Sequence, residues 1–161
     1  MSTAPLLRVE HLTIGTTGPG SPPIVDDVSL TLAAGATLGI AGESGSGKST
    51  LLLAMMGIVR TGLRRTAGSC VFDGVSLFDA DTRALEQIRG GRIALVPQSA
   101  GLSLTPTLRV GEQIDEVLML HTRLDGQQRR NRVVELLDSV HLPMPARIGS
   151  RYPHELSGGQ L

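Results

Sequence analysis

Lys48 is the only lysine among the 161 residues of this chain, and it lies within Gly42-Glu-Ser-Gly-Ser-Gly-Lys-Ser-Thr50. The other fourteen basic residues are arginine. A lysine ammonium is a compact point charge on a flexible stem, whereas a guanidinium is a wide planar fork. A tight turn around the β- and γ-phosphates of a nucleotide has room for the first. The spacing of Gly42, Gly47, Lys48 and Ser49 is G-x-x-x-x-G-K-[ST]. In that pattern glycines turn the backbone so that successive N–H groups face an anion, the lysine reaches the phosphates and the serine hydroxyl binds Mg²⁺. Glu43, Ser44, Gly45, Ser46 and Thr50 complete the loop as expected phosphate contacts. The competing reading is a Gly/Ser-rich turn that matches by chance.

Two further segments could do related chemistry. In Leu156-Ser-Gly-Gly-Gln160, Ser157 is a good helix N-cap, and Gly158 and Gly159 let backbone approach an anion closely. With Gln160 they form a second candidate phosphate-binding device. Alone, the pentapeptide could equally be an ordinary capped turn. Gln98 follows the apolar run Ile93 to Val96 and could offer its amide to a metal ion or to an attacking water. A polar loop residue is the commoner fate of a glutamine.

The surrounding sequence must supply elements that hold these groups. Leu38-Gly-Ile-Ala41 before the loop is predicted to be a buried strand, and Ser49 to Met56 after it a helix, so phosphate would meet a helix N-terminus. Leu6 to Ile14 and Val25 to Leu32 alternate as two strands, antiparallel to one another, around a Gly/Pro/Thr turn at 15–23. Gly57 to Gly68 reads as a polar connection. Ser69 to Phe72 reads as a short strand ending at Asp73-Gly74, and Asp79 to Arg89 as a helix. Arg92 to Val96 is predicted to be a buried strand stopped by Pro97. Beyond Gln98, apolar residues recur at helical spacing over Glu112 to Arg123 and Gln127 to Val140, separated by Asp125-Gly126. The expected organisation is a mixed α/β part over residues 1–97, then a helical part over 98–161.

Composition narrows the function. Fifteen basic and fifteen acidic residues balance to a formal charge of zero, which argues against a general nucleic-acid surface. Cys70 is the one cysteine, so no internal disulfide is available, and it reads as a small buried apolar residue. No stretch has the length of a membrane-spanning helix and no long apolar leader is visible, which suggests a cytoplasmic protein. Phe72, Phe78 and Tyr152 are the whole aromatic set, so the core must be aliphatic.

Taken in order, the phosphate loop, Gln98 and Leu156–Gln160 resemble the Walker A loop, Q-loop glutamine and signature motif of the ATP-binding subunits of ABC transporters. The resemblance runs from Leu6 to Gln160. Asp73-Gly74, Ile88-Arg-Gly90, Ile93-Ala-Leu-Val-Pro-Gln98, Leu104-Thr-Pro106, Val110-Gly-Glu-Gln-Ile114 and Tyr152-Pro-His-Glu-Leu-Ser-Gly-Gly159 resemble the dipeptide/oligopeptide/nickel importer branch. That branch usually has asparagine where Thr105 stands. The resemblance implies an α/β P-loop fold with an N-terminal antiparallel β part, a parallel-sheet core and a helical subdomain. It implies ATP and Mg²⁺ as ligands, with Ser49 and Gln98 near the metal. It also implies a head-to-tail pair of subunits, each ATP lying between Lys48 of one and Ser157–Gln160 of the other, and transmembrane permease subunits as partners.

Two departures from the family pattern stand out. The family pattern continues past the signature with a helix, an apolar strand ending in Asp-Glu and a switch histidine, so the chain reads as a member cut short with an incomplete parallel core. Asp138, Asp73 and His154 do not substitute, because their order and periodicity differ. The family also stacks adenine on an aromatic residue before the second strand, and Gly15 to Ile24 contains none. The leading expectation is an energy-coupling ATPase subunit of an importer. The alternative is a non-catalytic nucleotide-binding fragment. Another phosphate-loop enzyme, such as a small-molecule kinase or GTPase, is disfavoured by Leu156–Gln160.

Overall fold

The computed structural model describes residues 4–18, 20–98, 101 and 103–161. The chain forms two compact units, residues 1–89 and 90–161.

The first unit is built on an antiparallel sheet of β1 (Leu7–Thr16), β2 (Val25–Leu32), β3 (Leu63–Phe72) and β4 (Val75–Ser76), in the order β2-β1-β3-β4. β1 and β2 pair antiparallel as the alternation predicts, with Leu7 opposite Leu32 and Ile14 opposite Val25. The polar connection expected over 57–68 is in large part strand: β3 begins at Leu63 and pairs with β1 down to Leu7–Phe72. Arg64 and Arg65 stand within that strand and point to opposite faces, both exposed, so the polar run is a strand whose first half is solvated on both sides.

A dislocation crosses the sheet. His11 (φ 49°) in β1, Asp27 (φ 46°) in β2 and Gly68 (φ 82°) in β3 all take the left-handed conformation, where the register shifts. One inserted residue re-phases a strand, because side chains alternate with period two. Leu7 and Val9 before His11, and Leu12 and Ile14 after it, are therefore all buried. Without the bulge Leu12 and Ile14 would turn to the other face, each losing about 1.5–3 kcal/mol of burial. His11 Nδ1 lies 2.7 Å from Asp27 Oδ1, and the His11 N–H donates to Ser29 Oγ at 2.9 Å, so the bulges are tied to each other.

The first unit also holds α1 (Lys48–Ala54) and α2 (Thr82–Ile88). The Asp81 carboxylate caps α2, accepting the Ala84 N–H at 2.7 Å. Leu51, Ala54 and Met55 are buried, as are Cys70, Phe72 and Leu77. The core is aliphatic apart from Phe72.

Two expected strands are not formed. Leu38–Ala41 has no strand pairing, and Leu38 is 42% exposed. Arg92–Val96 makes no strand beyond a single bridge at Ile93, with Leu95 45% and Val96 90% exposed. An apolar run becomes a buried parallel strand only where neighbours pair on both sides and helices cover both faces. Among the described residues no segment does so.

The second unit is helical. α3 (Val110–His121), α4 (Gly126–Ser139) and α5 (Pro145–Gly149) are followed by a 3-10 turn at Pro153–Glu155. α5 opens on Pro145, which fits the first helical position because its missing N–H would have no intrahelical partner there. Asp125 caps α4 by accepting the N–H groups of Gln127 and Gln128, while Gln128 Oε1 accepts the Asp125 N–H at 2.9 Å. Val110, Val133, Leu137 and Ile148 form the core, with Ile114, Leu118, Leu142 and Leu156 packed against it. Gly111 touches the backbone of Gly149 so closely that an added Cβ would stand 2.8 Å from the Gly149 oxygen. These glycines let α3 and α5 meet. Ser99, Ala100 and Leu102, near the start of the helical part expected from residue 98, lie outside the described residues.

Candidate functional site

The phosphate loop lies in the first unit and is shaped by its glycines. Gly45 (φ 83°) and Gly47 (φ 88°) are left-handed, and Gly47 is the residue that precedes α1. Such a sequence of conformations turns backbone N–H groups toward one side, the arrangement that receives an anion. A Cβ on Gly47 would collide with the Ile24 carbonyl oxygen, whereas one on Gly45 would meet nothing within 4 Å. One glycine is needed for packing beneath the loop, and the other leaves its outer side open. Ile24 is itself fixed, since its N–H donates to the Ile14 carbonyl at 2.8 Å. The sheet therefore supports the loop through Ile14 and Ile24. Nothing in the sequence pattern marked Ile24, because the contact is made by its backbone.

Lys48 opens α1, and its ammonium donates to the carbonyl oxygen of Gly42 at 2.7 Å, to that of Glu43, and to Ser46 Oγ at 3.3 Å. The loop thus wraps the ammonium, which faces the space the loop encloses. The Ser46 N–H donates to the Glu43 carbonyl at 3.2 Å, closing the turn. Ser49 is exposed on the first turn of the helix. These groups fit a nucleotide triphosphate: a cation, a glycine-lined cradle and a hydroxyl beside it. They also fit Mg²⁺ held by a hydroxyl, phosphate oxygens and water. Among the described residues no three His, Cys, Asp or Glu side chains converge to hold a metal by themselves.

Gln98 and Ser157–Gln160 belong to the second unit. Gln98 is exposed in a bend. Ser157 begins a helical turn: its carbonyl accepts the N–H groups of Gln160 at 2.8 Å and Leu161 at 3.2 Å, and Gln160 Oε1 accepts the Ser157 N–H at 3.1 Å. Gly158 and Gly159 have open space where a Cβ would be, so an anion could approach their backbone. His154 lies in the 3-10 turn, and its ring stacks on Tyr152 at 5.6 Å between centroids.

Three supporting residues were not found by sequence reasoning. Arg89, at the end of α2, donates to the carbonyl oxygens of Met56 at 2.9 Å and Gly57 at 2.8 Å, just past the C-terminus of α1. Arg109 places its guanidinium 5.8 Å from the Tyr152 ring centroid. Gln113 bonds the backbone of Thr105 and Leu108. Gln113 falls within Val110-Gly-Glu-Gln-Ile114, but a polar residue on a helix carries no mark of what it bonds.

Comparison with known proteins agrees with these features. The family profile described as ABC transporter matches residues 25–161. A protein of Brucella melitensis biotype 1 whose name describes a peptide import ATP-binding protein is 45% identical over 99% of this chain and 48% of its own length. The oligopeptide transport ATP-binding protein OppD of Salmonella typhimurium is 41% identical over 96% of this chain and 46% of its own. The metal-staphylopine import system ATP-binding protein CntD of Staphylococcus aureus is 40% identical over 97% and 57%. The chain thus spans about half the length of the relatives it matches. Among solved structures, the ATP-binding cassette MJ0796, determined as a dimer in a post-hydrolysis state bound to ADP and Pi, superposes with a TM-score of 0.81. It is 29% identical over 96% of this chain and 64% of its own. The fold is accordingly that of the α/β P-loop cassettes. No helix among the described residues is long and apolar enough to cross a membrane. The chain belongs to the ABC transporter family.

Proposed function

We propose that this chain is the nucleotide-binding part of an importer ATPase, binding ATP with Mg²⁺ and coupling ATP binding and hydrolysis to the uptake of peptides or a related small solute. The observation that carries this reading is the closure of Gly42–Ser46 around the Lys48 ammonium at the start of α1. The triphosphate would lie along the N–H groups of Glu43 to Thr50, with Lys48 between its β- and γ-phosphates. Ser49 and Gln98 would share the metal, and Gln98 would orient water. The bound metal would neutralise charge on the phosphates. Ser157, Gly158, Gly159 and Gln160 would meet the nucleotide of a second subunit in a head-to-tail pair. Permease subunits would dock from the membrane, placing the protein at the inner face of the cell membrane. The named importer relatives and the dimeric cassette support this assembly.

Titration calorimetry with ATP·Mg²⁺ tests it. Wild type should bind, and Lys48→Ala should abolish detectable binding. Equal affinity in both would overturn the reading.

A second reading is a nucleotide-binding segment without turnover: among the described residues no three His, Cys, Asp or Glu side chains converge to hold a metal. A missing general base alone typically lowers a rate by about 10²–10⁴. Phosphate release from this chain, compared with Lys48→Ala, separates the two: no release above that control supports the second reading.

A further inference from the structure

Ser157 is joined to the segment before α3 by a continuous set of contacts within the second unit. Two of them meet at the N-terminus of α3. The Val110 N–H, a donor with no partner inside its own helix, donates to the Arg151 carbonyl at 2.9 Å. The Arg109 guanidinium stands over the Tyr152 ring, a placement in which cation and ring quadrupole attract. The same ring stacks on His154, nearly parallel, with an interplanar angle of 11°. Downstream, the Tyr152 N–H donates to Glu155 Oε2 at 2.8 Å, and Leu156 packs on the core of Val110, Val133, Leu137 and Ile148. Ser157 follows immediately.

On the other side of Arg109, one side chain organises the loop. Gln113 Oε1 accepts the Thr105 N–H at 2.9 Å, and its Nε2 donates to the carbonyl oxygens of Thr105 at 3.0 Å and Leu108 at 3.1 Å. The amide is bonded at both ends to backbone of the same short loop. The Arg109 N–H is in turn held by Glu112 Oε2 at 2.8 Å. Every backbone group from Thr105 to Val110 that these bonds reach is therefore referred to α3.

The geometry points to Arg109, Gln113 and Tyr152 as positioning residues that make the Thr105–Leu108 loop and the Ser157 turn move as one body. Anything that displaces the loop displaces the serine. The consequence for nucleotide contact rests on the proposed role of Ser157; the mechanical link does not. Physical coupling of this kind needs direct evidence rather than adjacency.

Amide hydrogen exchange by NMR on the full chain supplies that evidence. Gln113→Ala, which touches neither the phosphate loop nor Ser157, should speed exchange at Thr105 and Leu108 by roughly tenfold, equivalent to the loss of about one hydrogen bond. It should also speed exchange at Glu155, Leu156 and Ser157. Arg109→Met should raise exchange at 155–157 while Thr105 and Leu108 stay protected, and Arg109→Lys should restore 155–157. Tyr152→Phe, which keeps the ring, should behave as wild type, and Tyr152→Leu as Arg109→Met. Loosening of 105–108 by Gln113→Ala with no change at 155–157 overturns the link. So does a uniform rise across α4, which would mean general destabilisation. ATP-dependent dimerisation, read by light scattering on the same variants, is the separate arm. Linked exchange with unaltered dimerisation upholds the link and counts against the nucleotide role of Ser157.

Discussion

The Arg89 guanidinium donates to the Gly57 carbonyl at 2.8 Å and holds the chain just beyond the C-terminus of α1, the helix that Lys48 begins. Helix ends leave carbonyl groups unpaired, and a cation there satisfies them and complements the helix dipole. Arg89→Ala should cost about 1.5–3 kcal/mol in urea unfolding, the range for hydrogen bonds to charged groups. Arg89→Lys should recover less than half, since one ammonium cannot reproduce two divergent fork bonds. Full recovery by lysine would show that charge alone matters.

Gly68 should tolerate no side chain. It is left-handed at φ 82°, and a Cβ there would strike the His11 carbonyl oxygen. Gly68→Ala is expected to cost at least about 1–3 kcal/mol, the range for a strained backbone residue, before the collision is added. Gly74→Ala is the control: it is also left-handed, at φ 80°, but has open space around it. A smaller loss at Gly74 than at Gly68 in thermal unfolding would confirm that the collision dominates.

Cys70 is buried, and desolvation pushes its thiol up from 9.0 to about 11. Burial disfavours the thiolate, so the folded state holds the proton more tightly than the unfolded one. The associated stability is full below about pH 9 and declines as pH rises toward 11. At pH 8 only about one thiol in a thousand would ionise, so alkylation should be slow in native protein and fast in urea. Equal rates in both would contradict this.

Ser157→Arg should leave ATP affinity unchanged while preventing ATP-dependent dimerisation. The loop with Lys48 and the turn with Ser157 lie in different compact units, and the proposed pairing places Ser157 against the other subunit's nucleotide. Light scattering that shows dimerisation intact would remove the trans assignment.

What could be read from sequence depended on whether a group announces itself locally. The phosphate loop did, because Gly42, Gly47, Lys48 and Ser49 act through conformation and charge at fixed spacing. The helices α3 and α4 did, through period and the Asp125 cap. Leu38–Ala41 and Arg92–Val96 misled: their composition is that of buried parallel strands, but strand formation is a property of pairs, and no described segment extends a ladder along either beyond the single bridge at Ile93. β3 was half missed because Arg64 and Arg65, on opposite faces of the strand, are both exposed, so its first half shows no apolar alternation. Ile24 and Arg89 were invisible, since one acts through its carbonyl and the other through carbonyls some thirty residues away. Both relationships exist only in the folded chain.

The displaced residues His11, Asp27 and Gly68 also bear on how the molecule avoids its own copies. β2 is an edge strand, joined only to β1 within the described sheet, so its outer row of N–H and C=O groups could template another chain. Asp27 interrupts that row with a left-handed backbone and a carboxylate, and Asp26 adds a second charge beside it. An incoming strand would find no continuous ladder to extend. The irregularity that lets four apolar residues of β1 share one face thus also blunts the edge against intermolecular β-pairing.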